Sequence, residues 1–337
     1  MKRILLIADS KNLVKVFLTP ISKLQKGFLR LGHDVRIFDY SGTLAQFSPL
    51  KSRTISALIY KSKVDQALAK YIRTYKPHII LLSFAKHLNA DSIRSIRAEV
   101  PTATIIAMDF DAWPKLHTGR LDTAKEVDIV IATNDGEYLN EYCRIGVPLC
   151  AFMPNTCDPD TDKRYTVDPK WHSDLLWTGT SKHKAANPDP LREKLVERLA
   201  EMDNCMLYGC CGYRKIGGLD YFYAISGAKI GIHANADNSI RLYHSDRFTH
   251  YMACGTFVLA KRIPDTELLA NDKKHVCYFD EIEEFFDLAK WYLSHEQHRK
   301  KIADSGMAWA HEQFNCKKIA GHILDLIEKG TYKANWT

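Results

Sequence analysis

Short apolar runs, each closed by a polar loop and followed by a stretch with helical spacing, recur along the whole chain. The first run, residues 2–8, is almost purely aliphatic and reads as a strand buried on both faces. Thr19 and Pro20 then supply an N-cap and a first helical residue, and Gly32 supplies a stop. The same alternation predicts further strands over 33–40, 77–84, 102–108, 127–132 and 148–153, with helices over 57–75, 90–99 and 136–145. A second series predicts strands over 174–177, 205–208, 229–233, 256–260 and 276–279. Its helices cover 189–202, 219–226, the span opened by Ser245 and stopped by Gly255, and then 281–293, 296–314 and 317–329.

Strand, loop, helix, strand in regular alternation is the pattern of an α/β chain with parallel sheets. Between the two series, residues 155–168 are rich in Asp, Pro, Thr and Lys and show no periodicity, which marks a linker. The expected organisation is two doubly wound, Rossmann-like domains. The first covers 1–155, the linker 156–170 and the second domain 171–315, with a C-terminal helix over 316–337 that returns to the first domain. Such domains bind ligands at the carboxyl ends of their strands. If those edges face one another across a cleft, the arrangement suits an enzyme with two substrates.

Composition narrows the class. The chain has 337 residues, enough for two cores, with 46% hydrophobic and 26% charged residues, ordinary values for a globular protein. No apolar run approaches membrane-spanning length, and the apolar start is cut short by Asp9, so neither stable membrane insertion nor a secretion signal is expected. Nine cysteines without a CxxC pair fit reduced thiols and a cytoplasmic location. A net charge of +7 is mild and suits an anionic ligand or an anionic membrane surface equally well.

The candidate chemistry clusters at predicted strand ends. Arg247 falls in the first turn of the helix that starts after Ser245, where a cation opposes the helix dipole. A bound anion would compensate it, and an ordinary surface arginine is the plain alternative. Gly179, Thr180, Ser181 and Lys182 follow the first strand of the second domain, where small residues let backbone N–H groups approach phosphate; a basic turn is the alternative. Tyr213 could stack on a nucleobase with Arg214 near phosphate, with a plain basic turn as the alternative, and His233, Asn235 and Asp237 lie at or just past the end of the next strand. In the first domain, Asp109 and Asp111 end an apolar strand. They fit a general base or acceptor-hydroxyl ligand better than a metal site, because the donor loops lie in the other domain. Asp9, Lys86 and His87 sit at two other strand ends of the same domain as acceptor-side candidates.

Several of these stretches carry a family resemblance. SDRFTHYMACGTFVLA resembles the Arg-x-Phe-Glu-x-x-Ala-Cys-Gly-Gly helix and strand of GT-B glycosyltransferases, more narrowly the CgeB-like, spore-maturation-protein type within glycosyltransferase groups 1 and 4. LLWTGTSKHK is similar to the first strand and phosphate loop of their donor domain. DIVIATNDGEYLNEYCRIGVPLCAFMPNTCDPD is similar to their crossover, and the tail after Cys277 to their Phe-Asp and Arg-x-x-Ile-Ala-x-x-Gly elements.

The resemblance covers about residues 75–325 and implies a sugar transferase using a nucleotide-sugar, UDP-sugar by default, with no cofactor and no metal. Its donor-side residues would be Gly179, Thr180, Lys182, Tyr213, Asn235, Arg247 and His250. The acceptor would be a glycan or a small molecule, or DNA in a phage-type alternative. The chain departs from the family at His250, where relatives carry the glutamate that holds the donor ribose, and near Leu242, where the upstream glutamate is missing. A nucleotide-sugar-binding protein without turnover is therefore the third reading.

Overall fold

The computed structural model describes residues 1–8, 19–50, 53–83, 88–110, 116, 118–181 and 188–337, with the backbone alone at 53 and 54. Asp9, Lys86, His87, Asp111 and Lys182 lie outside the described residues. The chain divides into two compact units. One comprises Met1–Asp111, Lys115–Met153 and Ala320–Tyr332, and the other is formed chiefly by Pro154–Ile319 with Lys333–Thr337.

The first unit runs β1 (Arg3–Ala8), α1 (Pro20–Arg30), β2 (Asp34–Asp39), α2 (Tyr40–Phe47), α3 (Arg53–Tyr75), β3 (Ile79–Ser83), α4 (Ala90–Glu99), β4 (Thr104–Asp109), α5 (Thr118–Ala124), β5 (Ile129–Ala132), α6 (Glu137–Arg144) and β6 (Leu149–Phe152). Its sheet has the order β2-β1-β3-β4-β5-β6 with every pairing parallel. The central strands are buried along their whole length, Ile4–Ile7 and Ile79–Leu82 included, because helices cover both faces of a parallel sheet. The tail after Ala320 belongs to this unit: Lys2 Nζ meets Glu328 at 2.7 Å, and the Tyr332 hydroxyl donates to the Phe152 carbonyl.

The second unit runs β7 (Ser173–Thr178), α7 (Pro190–Ala200), β8 (Cys205–Tyr208), α8 (Leu219–Gly227), β9 (Ala228–His233), α9 (Asp246–Ala253), β10 (Phe257–Lys261), β11 (Cys277–Phe279), α10 (Ile282–Ser294) and α11 (Glu296–Gln313), followed by the start of α12 (Cys316–Lys329). Its parallel sheet has the order β11-β10-β9-β7-β8. The strand order therefore reverses between β7 and β9. A crevice opens there at the carboxyl ends of a doubly wound sheet, and side chains from either side can meet in it. One core cluster ties this sheet to α7, α10 and α11 through Trp177, Leu195, Ile230, Phe257 and Phe285.

Two helices differ from the sequence reading. α2 follows β2 with no intervening loop, because the Asp39 carboxylate caps the Gly42 amide at 2.9 Å. A Cβ at Gly42 would stand 2.3 Å from the Asp39 carboxylate, so a larger residue would push that cap aside. α5 is seven residues long, too short to leave a periodic signal. The segment read as a linker has no regular strand or helix over 158–168, but it is anchored. Cys157 bridges to Asn315, Asp158 and Asp162 are buried, and Arg164 meets Asp304 at 2.6 Å.

Candidate donor site of the second unit

Arg247 sits where the sequence placed it, in the first turn of α9, but it is not a surface residue. It is 9% exposed, and its guanidinium reaches back over β7 to donate to the Thr178 carbonyl. That reach depends on Gly179. Its φ of +125° belongs to glycine, and a Cβ there would stand 2.5 Å from Arg247 Nη1. Ser245 occupies the N-cap of α9 yet makes no capping bond. Its hydroxyl is spent instead on Arg247 Nε and on His233 Nε2, each at 3.1 Å. Side-chain capping, the usual way of satisfying first-turn amides, is therefore missing from this helix end.

A second arginine, which the sequence reading missed, completes the site. Arg192 lies in the first turn of α7, 6% exposed. It donates to the Thr180 carbonyl from Nη2 at 2.6 Å and to the Ala234 carbonyl from Nη1 at 3.1 Å, so it spans the β7–β9 switch point. Both guanidiniums lie over the Trp177 ring, Arg192 at 5.2 Å and Arg247 at 5.1 Å from its centroid. Among the described residues neither is ion-paired with a carboxylate. Burial, and then the charge of Arg247, pull the Arg192 pKa down to about 9. Two buried like charges without a carboxylate partner among the described residues leave positive charge that an anion can offset.

The other expected donor residues are placed as follows. Thr180 is exposed, with its carbonyl held by Arg192. Tyr213 is 54% exposed in the turn after β8, with a ring free to pack on a planar ligand. Asn235 is 1% exposed and its amide is consumed internally: Nδ2 donates to the Tyr243 carbonyl at 2.6 Å and Oδ1 accepts from the Ser245 amide at 3.3 Å. It shapes the loop that delivers Ser245 and does not reach a donor. Asp237 is a loop residue too, accepting from Ser239. His250 also departs from expectation. It is 3% exposed, packed edge-on against Tyr221 and Phe222 of α8, with Nδ1 at 3.2 Å from the Tyr221 hydroxyl. In this arrangement it braces α9 against α8 instead of facing a ribose.

Behind the arginines lie two buried histidines. The ring of His244 stacks on Phe248 at 4.0 Å and lies 5.0 Å from His233. Each has an Nδ1 without a hydrogen-bond partner. Burial pulls the His244 pKa down to about 3. Burial, followed by His244 and the two arginines, pulls His233 far below its ordinary value. Both are neutral and rigidify the Ser245–Arg247 support.

In the first unit, Asp109 is 2% exposed and its carboxylate is fully engaged. Arg120 Nη1 donates at 2.5 Å, the Tyr142 hydroxyl at 2.6 Å and the Tyr138 hydroxyl at 3.0 Å. Burial lowers the Arg120 pKa, but the Asp109 charge outweighs it and the net shift is upward. The expectation that Asp109 acts on an acceptor hydroxyl does not fit this geometry. A base needs a free oxygen near substrate, and here the carboxylate clamps α5 and α6 to the end of β4. Among the described residues no group of three His, Cys, Asp or Glu side chains is placed to hold a metal ion, and no helix is long and apolar enough to cross a membrane.

Two parallel, doubly wound α/β sheets in tandem define the GT-B fold, and solved structures share it over the whole chain. The UDP-glucose complex of Anabaena Alr3699/HepE is 13% identical, with 97% of this chain and all of that one aligned at a TM-score of 0.59. Sucrose-phosphate synthase from Thermosynechococcus elongatus is 13% identical over 98% and 99% of the two chains, at 0.62. A glycosyltransferase from Rickettsia africae is 12% identical over 97% and 98%, at 0.63. Residues 191–325 match a family model described as glycosyl transferase-like, so the chain carries a glycosyl transferase-like domain that begins one residue before Arg192 and includes Arg247. No curated protein matches the chain by sequence.

Proposed function

We propose that the protein is a glycosyltransferase that takes a sugar from a nucleoside-diphosphate sugar, UDP-sugar by default, to an acceptor hydroxyl. The observation that carries this reading is the buried, carboxylate-free arginine pair over Trp177 at the sheet's switch point. A diphosphate supplies the charge that this pair lacks. As the glycosidic bond breaks, negative charge grows on the leaving diphosphate, and Arg247 with the uncapped start of α9 is placed to meet it. The guanidiniums take the part a divalent cation plays elsewhere, so transfer proceeds without metal. Tyr213 packs on the base, and Lys182, three residues along the chain from Gly179, joins the diphosphate. The bound UDP and UDP-glucose named for the HepE structures support the choice of donor. The Arg247-to-Cys254 stretch supports assignment to the CgeB-like branch.

Because Asp109 is committed to Arg120, the acceptor base is sought among Asp111, Asp9, Lys86 and His87. The same commitment favours a second reading, a protein that binds nucleotide-sugars without turnover. Calorimetric titration with UDP and Arg247→Ala tests the binding claim, and unchanged affinity sinks it. Release of UDP from UDP-sugars with and without candidate acceptors, repeated with Asp111→Asn, separates enzyme from binder.

A further inference from the structure

The second unit holds a cavity of about 770 Å³ at the edge of its sheet opposite the arginine pair. Its wall is built where strands begin, not where they end: Ser173 and Asp174 open β7, Ala228 and Lys229 open β9, and Phe257 opens β10. α11 closes it with Glu296, Arg299 and Lys300. Nothing in the proposed transfer reaction uses this edge.

Two groups on its wall keep hydrogen-bonding capacity that the described residues do not use. Ser173 is 3% exposed, and its hydroxyl has no hydrogen-bond partner among the described residues. Burying such a group unpaired costs stability, so a fold keeps it only where something completes it. Arg299 is 6% exposed and spends Nη1 alone, on the Tyr292 and Leu293 carbonyls at 2.6 and 3.3 Å. Its Nε and Nη2 make no hydrogen bond to the described residues, which leaves the planar two-donor edge that grips carboxylate or phosphate. The remaining cations are matched: Lys229 meets Asp174 at 2.6 Å, Lys300 meets Glu296 at 2.5 Å, and Arg164 meets Asp304 at 2.6 Å. Arg299 feels the Glu296 and Asp174 carboxylates, which Lys300 and Lys229 already engage, so the wall's four Lys and Arg side chains outnumber its three carboxylates by one, with Asn204 and Ser173 beside them as partners for hydroxyl groups.

We propose that this cavity binds a small polyhydroxylated phosphate monoester, a sugar phosphate, as a second ligand distinct from the donor. The phosphate sits on the free edge of Arg299 beside Lys300, and the hydroxyls bond to Asp174, Asn204 and Ser173. The volume matches the size of sites for such molecules. The site also touches the donor machinery through one helix. Gly255, the residue that ends α9 with a φ of +70°, lines the cavity, and Arg164 donates to its carbonyl at 2.8 Å, while Arg247 lies at the other end of α9.

The test uses the full-length protein and calorimetry with three probes: glucose 6-phosphate, inorganic phosphate and glucose. Glucose 6-phosphate is expected to bind saturably, about tenfold tighter than inorganic phosphate, and glucose is expected not to bind. Lys300→Glu, at an exposed position, and Ser173→Ala should each weaken glucose 6-phosphate by about tenfold or more. Ser173→Ala should not lower the melting temperature, since it removes a hydroxyl that has no partner; a structural hydroxyl would lower it. Arg247→Ala should leave the binding unchanged. No saturable binding, or binding that survives Lys300→Glu and Ser173→Ala, overturns the proposal. So does binding lost with Arg247→Ala, which places the probe at the other edge.

Discussion

Arg192 and Arg247 share one aromatic ring, at 5.2 and 5.1 Å from the centroid of Trp177, and neither is ion-paired with a carboxylate among the described residues. One arrives from α7 and the other from α9, so only the closed sheet brings them together. Their repulsion is tolerable because the ring faces and four backbone-carbonyl bonds absorb part of the charge. A multivalent anion removes the rest. Arg247→Ala is expected to weaken UDP by about 100-fold or more, in the range for a buried charge-assisted contact. Binding should also take up a proton near pH 9. The anion raises the Arg192 pKa from about 9, so a fraction that is neutral in the free protein becomes charged. Calorimetry of UDP binding in buffers of different ionisation enthalpy reads this directly. Uptake that persists in Arg192→Gln assigns it elsewhere.

Gly179 offers a way to move Arg247 without removing it. An alanine Cβ would stand 2.5 Å from Arg247 Nη1, the far end of a flexible chain that can swing away. The cost to folding is then mainly the unfavourable φ of +125°, about 1–3 kcal/mol. The cost to diphosphate binding should approach that of Arg247→Ala. Thermal unfolding and UDP titration of Gly179→Ala measure the two separately. A variant that melts earlier but binds normally would show that Arg247 need not lie over the end of β7.

The Asp109 cluster predicts the opposite balance. Replacing the carboxylate in Asp109→Asn takes the Asp109 charge away from Arg120, which lies largely buried beside Tyr138 and Tyr142. Removal of one partner of a buried pair costs about 3–5 kcal/mol. Urea unfolding should show a loss of that order. A catalytic base would instead lose turnover with stability intact, and that outcome would return Asp109 to the reaction.

Much of the scaffold was legible because each central strand is an uninterrupted apolar run: Ile79–Leu82, Ile129–Ala132 and Val258–Ala260 cannot sit anywhere but inside a sheet. Arg247 was legible as a misfit, a cation at the wrong end of a helix dipole. Arg192 was not. In Pro190–Glu193 it reads as an ordinary polar position in a helix start, and only the return of β9 beside β7 buries it. The misreading of Asp109 has the same origin. Its strand-end position is visible locally, but its partners lie 11, 29 and 33 residues away. Of the pattern, Tyr138 and Tyr142 one helical turn apart were a hint that one face of α6 grips something polar. His250 reads as a donor-side position, and the sequence could not show that Tyr221 and Phe222 would enclose it.

The two histidines behind the donor site tie stability to pH. Protonating His233 or His244 places a charge in a buried position and a proton on an Nδ1 that has no partner. Both pKa values are therefore depressed in the folded protein, His244 to about 3 and His233 well below its ordinary value. The unfolded chain takes up these protons near pH 6.5, so the folded state is favoured in full above that value and loses ground as pH falls through it. Each histidine contributes a slope of about 1.4 kcal/mol per pH unit below that point, and for His244 the loss continues to about pH 3. His244→Gln, which can keep a bond to Thr266, should flatten the curve between about pH 6 and pH 4.5 by that amount relative to the parent chain. Urea unfolding across the range decides the matter. Parallel stability curves for parent and variant would show that His244 takes up its proton as readily folded as unfolded.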